Sequence, residues 1–363
     1  MLMVEDYYNY FGIEFDSDIL EKRRNIIYLI LGFDCNLRCN YCLHTHHFDR
    51  KMPSTISPKV LHFLKTRIPS KVKSKLNLQF WGGEPLLYFD KIKFLVEELK
   101  DTGAYTFAIV TNGTYLTQEI VDFCNDNEVV IGVSHDGVLN NYNRGYDPIE
   151  DKHELINSIK YFSGFSAVMT PENKSYYEIT DYFRSCDLLT EDKKRCRVVP
   201  VLDVSLGDVA KFNDEFHKEM KKVVDNLKNN LIMGNVDCQE LDIFKSGIAS
   251  YLMKKKYPEV YKDVFTTYTM MLDLEGNLYY NSGGSYKLGD INTPLEDIKK
   301  NFIETNNKYF GRWEKCLACR VKPICNGGNL GVTKDGINLC DTSIKYLSPL
   351  VDFIDEVFKE EIK

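Results

Sequence analysis

Cys35, Cys39 and Cys42 lie in Phe33-Asp34-Cys35-Asn36-Leu37-Arg38-Cys39-Asn40-Tyr41-Cys42, a C-x3-C-x2-C loop directly after the apolar run Asn25–Leu31. Three thiolates this close together can hold three irons of a [4Fe–4S] cluster and leave the fourth iron without a protein ligand. An open iron can bind a small molecule and pass it an electron. The same thiols also suit zinc, which in a closed site asks for a fourth ligand. His44, His46 and His47 follow at once. These histidines read first as an exposed polar loop and second as a contact for an acidic substrate group.

A second cysteine group stands near the C-terminus, Cys316-Leu317-Ala318-Cys319 with Cys325 and then Cys340, in C-x2-C-x5-C-x14-C spacing. Four thiolates can ligate a whole [4Fe–4S] cluster or one tetrahedral zinc. Between the two groups, Trp81-Gly82-Gly83-Glu84-Pro85 pairs glycines, which let backbone approach a ligand, with a carboxylate able to accept hydrogen bonds from an ammonium group. By itself the Gly-Gly-Glu-Pro tetrad also describes an ordinary strand-to-helix turn. Of the remaining cysteines, Cys124, Cys186 and Cys196 read as small core residues. Cys238 shares that core reading as its default, but with the least helical context it is also a candidate hydrogen-atom donor.

The elements that must position these groups follow from the hydrophobic pattern. Strand-like runs fall at Ile26–Phe33, Leu76–Trp81, Thr106–Thr111, Val129–Ser134, Phe165–Thr170 and Arg197–Leu202. Each is short and nearly continuously apolar, as strands covered on both faces should be. Helical segments such as Pro58–Arg67, Phe89–Asp101, Gln118–Asn125 and Tyr176–Ser185 separate them. Six βα units in series predict a parallel sheet with right-handed crossovers, an α/β fold closed partly into a (β/α)6 barrel of the TIM type. Reactive groups then belong on loops at the C-terminal ends of strands, where the Cys35–Cys42 loop stands. Beyond Gly207, Val209–Asn230 and Gln239–Lys256 read as helices, Met270–Asn281 as a hairpin turning at Glu275-Gly276-Asn277, and Ile344–Ile362 as an apolar helical tail. The expected divisions are an N-terminal helical extension over 1–24, the barrel over 25–206, a helical connection over 207–268, and a cysteine-bearing domain with its C-terminal helix over 269–363.

Taken together the motifs resemble the radical SAM superfamily. The cysteine triplet with an aromatic residue, Tyr41, before its last member is followed by Gly82-Gly83-Glu84-Pro85 after the second strand. Thr111-Asn112-Gly113 ends the third strand and Ser134-His135-Asp136-Gly137 ends the fourth. The resemblance implies that the open iron chelates S-adenosylmethionine, whose reductive cleavage gives a 5′-deoxyadenosyl radical. It also implies that Tyr41, Gly82, Gly83, Glu84, Pro85, Asn112, Ser134 and Asp136 seat that cofactor. Arg144 lies where peptide-modifying members often carry an arginine that meets a carboxylate. The C-terminal segment resembles part of a SPASM (or twitch-like) domain, with Leu272–Tyr279 and Leu288-Gly289-Asp290 upstream. Two positions that are cysteine in the full pattern are Asn281 and Asn329 here. Both losses fall on one cluster, so a single auxiliary [4Fe–4S] cluster on Cys316, Cys319, Cys325 and Cys340 is expected. Those missing ligands argue against sulfatase-type maturation.

Composition bounds the rest. The chain has 363 residues, 44% hydrophobic and 27% charged, with a formal net charge of -7, a balance that excludes a general nucleic-acid binder. No run of about 18 apolar residues is present to span a membrane. Eleven cysteines without an export signal read as cluster ligands and free thiols in a reducing cytoplasm. What the resemblance implies is radical modification of a ribosomally made peptide, by oxidative crosslinking or side-chain oxidation. An electron donor such as flavodoxin or ferredoxin is implied with it. The alternatives are a peptide epimerase using Cys238, or a dehydrogenase of a sugar, aminoglycoside or amino acid.

Overall fold

The computed structural model describes residues 26–42, 51–69, 75–200, 209–235, 270–280, 284–310, 318–325 and 339–357, with single positions 238, 240, 241, 244, 247, 248, 251 and 252. The histidines at 44, 46 and 47, Cys316, Asn281, Asn329 and the expected N-terminal helix lie outside the described residues. So does most of the helix expected over Gln239–Lys256. In chain order the elements are β1 Ile26–Gly32, α1 Pro58–His62, β2 Leu76–Gly82, α2 Phe89–Leu99, β3 Tyr105–Thr111, α3 Gln118–Asp126 and β4 Val130–Ser134. Then come α4 Asn140–Arg144, α5 Pro148–Ser158, β5 Phe162–Met169, α6 Tyr176–Arg184, β6 Cys196–Pro200 and α7 Val209–Ile232. The series ends with β7 Met270–Asp273, β8 Asn277–Tyr279, β9 Lys287–Asp290, α8 Leu295–Phe310, α9 Lys322–Cys325 and α10 Leu339–Val357.

Two compact units divide the chain. The first joins Asn25–Asp203 to Thr269–Thr305. Its strands form one sheet in the order β6-β5-β4-β3-β2-β1-β7-β8-β9, and β1 to β6 are all parallel. The expected α/β architecture is therefore present, with all six strands in their predicted places. Leu29, Leu78, Phe80, Ile109, Val133 and Ala167 are buried and form its core. β1 and β6 stand five strands apart, about 24 Å in a flat sheet. The parallel run of six strands is consistent with an open partial barrel. The expected hairpin is present as β7 and β8, and β7 adds to the sheet in parallel beside β1.

Local signals explain the helix starts. Thr117 and Ser175 cap α3 and α6 by accepting from Ile120 N and Glu178 N. Asp147 caps α5 through Ile149 N and Glu150 N, with Pro148 at the first helical position.

The second unit gathers residues 1–24, 204–268 and 306–363. In it α7 buries Phe216, Met220, Val223 and Leu227, spaced as one helical face, and α10 buries Tyr346, Leu350, Val351 and Ile354. Phe216 and Tyr346 meet edge to face at 6.3 Å. Lys228–Glu356 at 2.6 Å and Lys345–Asp214 at 3.1 Å flank the contact.

Candidate active site

The loop after β1 is built onto the neighbouring strand ends. Gly83 N donates to Gly32 O at 3.0 Å and Glu84 N donates to Asp34 O at 2.9 Å, so the β1–β2 pairing continues into the residues just before Cys35. A Cβ on Gly83 would stand 2.2 Å from Asp34 O, and one on Gly82 2.0 Å from Gly32 O. The glycine pair is needed for this close backbone approach. Tyr88 adds a second brace, for its hydroxyl donates to Asp34 Oδ2 at 2.9 Å and accepts from Asp34 N at 3.0 Å.

From the β3 end, Asn112 Nδ2 donates to Asn36 Oδ1 at 3.1 Å and lies 3.9 Å from Cys35 Sγ. Asn36 in turn donates to Thr114 Oγ1 at 2.9 Å. Glu84 is 1% exposed. Its Oε1 accepts from Leu86 N at 2.9 Å and Thr111 Oγ1 at 2.7 Å, and its Oε2 accepts from Asn112 N at 2.7 Å. A carboxylate offers about four acceptor positions, so one remains on Oε2. Burial pushes the Glu84 carboxyl above the ordinary carboxylate range, against those three donors.

The β4 end holds the other arm of the loop. Asp136 is fully buried. Its Oδ2 accepts from Tyr41 Oη at 2.6 Å and from Arg144 Nε at 3.0 Å. Its Oδ1 accepts from Arg144 Nη2 at 3.1 Å and Val168 N at 2.8 Å. All of its acceptor positions are taken. Asn140 Oδ1 and Asn173 Nδ2 hold the Asp136 backbone at 3.1 and 2.7 Å. The Arg144 guanidinium also lies 5.4 Å from the centre of the Tyr41 ring. Tyr41 is thus fixed between Cys39 and Cys42 by an ion pair more than ninety residues away in sequence.

Cys35, Cys39 and Cys42 are half-buried and unbridged. Burial raises the Cys35 thiol, and burial pushes the Cys39 thiol up to about 11 against the Arg144 charge. Among the described residues no three His, Cys, Asp or Glu side chains are grouped to hold one metal ion. A cubane asks for a different arrangement, one thiolate per iron. Three thiols outside any disulfide on one braced loop fit that donor set. The structure brings Tyr41, Gly82, Gly83, Glu84, Pro85, Asn112, Asp136 and Arg144 around this loop, with Ser134 ending β4. Sequence reasoning missed Tyr88, Asn140, Asn143 and Asn173, and nothing in their local sequence marks them.

Cys319, Cys325, Cys340 and Cys238 belong to the helical unit. Cys319 is half-buried and unbridged, while the side chains of Cys325 and Cys340 are not described. Cys238 is 8% exposed. No helix among the described residues is long and apolar enough to cross a membrane.

Comparison with known proteins agrees with this geometry. Residues 29–171 match the model of the radical SAM superfamily. A cysteine-type anaerobic sulfatase-maturating enzyme of Clostridium perfringens is 23% identical over 81% of this chain and 85% of its own. The radical SAM cyclopropyl synthase TigE of Paramaledivibacter caminithermalis is 22% identical over 84% of this chain and 67% of its own. The solved structure of native anSMEcpe with bound AdoMet superposes with a TM-score of 0.63 at 18% identity, over 92% of this chain and 100% of that one. The same protein with AdoMet and the Cp18Cys peptide gives 0.61. The fold, the braced cysteine loop and the family match converge: residues 29–171 of this chain form a radical SAM domain.

Proposed function

We propose that this radical SAM enzyme oxidises a ribosomally made peptide by radical hydrogen abstraction. The observation that carries the reading is the loop of three thiols outside any disulfide at the C-terminal end of β1, braced from β2, β3 and β4 at once. When bound there, the [4Fe–4S] cluster and S-adenosylmethionine supply a carbon radical able to take a hydrogen atom from substrate. The chain's own residues bind and orient. Cys35, Cys39 and Cys42 hold three irons. Gly82–Pro85, Asn112 and Ser134 line the cofactor's seat, and Glu84 offers the remaining acceptor position on Oε2 to its ammonium group. Arg144 spends two of its donors on Asp136 and keeps others for a carboxylate. Burial of these groups excludes water from the reacting centre.

A peptide substrate is supported by the anSMEcpe structure that holds one. The Clostridium perfringens relative matures sulfatases by name. Asn281 and Asn329 are the positions on which this chain departs from the two-cluster pattern. Cys316, Cys319, Cys325 and Cys340 would hold one auxiliary [4Fe–4S] cluster, a group able to accept the electron that a substrate radical gives up on oxidation, and a flavodoxin or ferredoxin would supply the separate electron that cleaves S-adenosylmethionine.

The test is anaerobic incubation of the reconstituted chain with reductant, S-adenosylmethionine and candidate peptides, read by mass spectrometry. Loss of about two mass units with stoichiometric 5′-deoxyadenosine is the expected result. Unchanged mass with one deuterium gained from heavy water, abolished in Cys238→Ala, would replace oxidation by epimerisation. A total near twelve irons would show that a second auxiliary cluster forms without cysteine at 281 and 329.

A further inference from the structure

The segment from Asp136 to Arg144 does more than end β4. Asn143 is 2% exposed and one residue from Arg144. Its backbone carbonyl accepts from Asn40 N at 3.1 Å, and its Oδ1 accepts from Asn40 Nδ2 at 3.4 Å. Asn40 stands between Cys39 and Tyr41, so the Asn143 carboxamide lies against the arm of the loop that carries Cys39. Its Nδ2 is buried and has no partner. Native proteins keep few such donors, because a buried N–H without an acceptor is costly; those that persist ask for an unseen partner. Beside it, Arg144 is held bidentately by Asp136, and its guanidinium lies 5.4 Å from the centre of the Tyr41 ring, two residues after Cys39. A spare donor and a fixed cation therefore stand beside the arm of the loop that carries Cys39, Asn40 and Tyr41.

We propose that Asn143 and Arg144 are positioning residues of the cluster. Asn143 donates its free Nδ2–H to a sulfur on the Cys39 side, and Arg144 fixes a positive charge next to it. Reduction adds negative charge to a cubane, and donors and cations around its sulfurs stabilise that added charge. Both residues thus raise the cluster's reduction potential. The proposal rests on the reading that Cys35, Cys39 and Cys42 hold a cluster.

The experiment is a potentiometric titration of the anaerobically reconstituted full chain, followed by electron paramagnetic resonance. The signal that changes on adding S-adenosylmethionine identifies the cluster with the open iron. The potential is then read without that cofactor in the wild type, Asn143→Leu, Arg144→Gln and Arg144→Lys. With iron content retained, Asn143→Leu and Arg144→Gln should titrate at more negative potentials, and Arg144→Lys should return toward the wild-type value. An unchanged potential in both of the first two variants overturns the proposal. If Arg144→Gln does not fold, Asn143→Leu decides alone. A wild-type chain that binds no iron through the three cysteines would instead bring down the functional reading, and the iron count reports that separately.

Discussion

Glu84 and Asp136 are both buried carboxylates at the C-terminal ends of strands, yet their surroundings differ in kind. Glu84 accepts only from neutral groups, two backbone amides and the Thr111 hydroxyl, and keeps a free acceptor position. Asp136 accepts from Arg144 twice, from Tyr41 and from Val168 N, and keeps none. The first ties β2 to β3 and leaves one acceptor position on Oε2 unused among the described contacts. The second is an internal ion pair that clamps the Tyr41 arm of the cysteine loop. An acidic residue at a strand end therefore says nothing of its role until its donors are known.

Removing the charge at Asp136 should have the largest effect. Asp136→Leu leaves the Arg144 guanidinium buried without a counter-charge, at a cost of about 3–5 kcal/mol. Urea unfolding of the variant measures it. A loss under about 1 kcal/mol would mean that Asp136 and Arg144 do not depend on each other, and the contrast with Glu84 would collapse.

Glu84→Gln keeps the shape and should cost less, about 1–3 kcal/mol, because one of three neutral donors loses its acceptor. Its pH dependence sharpens the comparison. Burial raises the folded-state value of Glu84 above its ordinary 4.5, so the folded chain binds the proton more tightly than the unfolded chain. Stability contributed by Glu84 is then full below 4.5 and declines as pH rises through the folded value. Glu84→Gln should lack that decline. Parallel stability curves for the two proteins across that window would contradict the burial account.

The smallest effect is expected at Asp147, which caps α5 and meets His135 Nε2 at 3.0 Å. Burial raises its carboxyl, but the His135 and backbone hydrogen bonds outweigh this and leave it below the ordinary 3.8. Its extra stability is present above 3.8 and is lost as pH falls through the lower folded value. Asn caps as well as Asp, so Asp147→Asn should cost about 1 kcal/mol near neutrality. The gap from wild type should close in acid, as thermal unfolding at several pH values can show.

The six parallel strands were legible because each is a nearly unbroken apolar run between polar turns. β5 begins at Phe162, before the expected Phe165, because Ser163 and Gly164 interrupt that signal. α5 was not singled out, since Glu150-Asp151-Lys152-His153-Glu154 hides its apolar face, although Asp147-Pro148 marks its start. The three cysteines and the Gly82–Pro85 turn announced themselves by type and spacing. Tyr88 and Asn143 did not, because their roles rest on partners 54 and 103 residues away in the chain. The pairing of β7 with β1 is hidden for the same reason: hydrophobic pattern shows a strand but not its neighbour.

The loop after β1 is the centre of the site, and its most direct test is iron content and S-adenosylmethionine cleavage in the chain with Cys35, Cys39 and Cys42 all changed to Ala. The wild type should hold about eight irons after anaerobic reconstitution, four in each of two cubanes, and should release 5′-deoxyadenosine and methionine under reductant. The triple variant should lose about four irons and all cleavage while remaining folded. Cleavage retained in that variant would contradict the central claim.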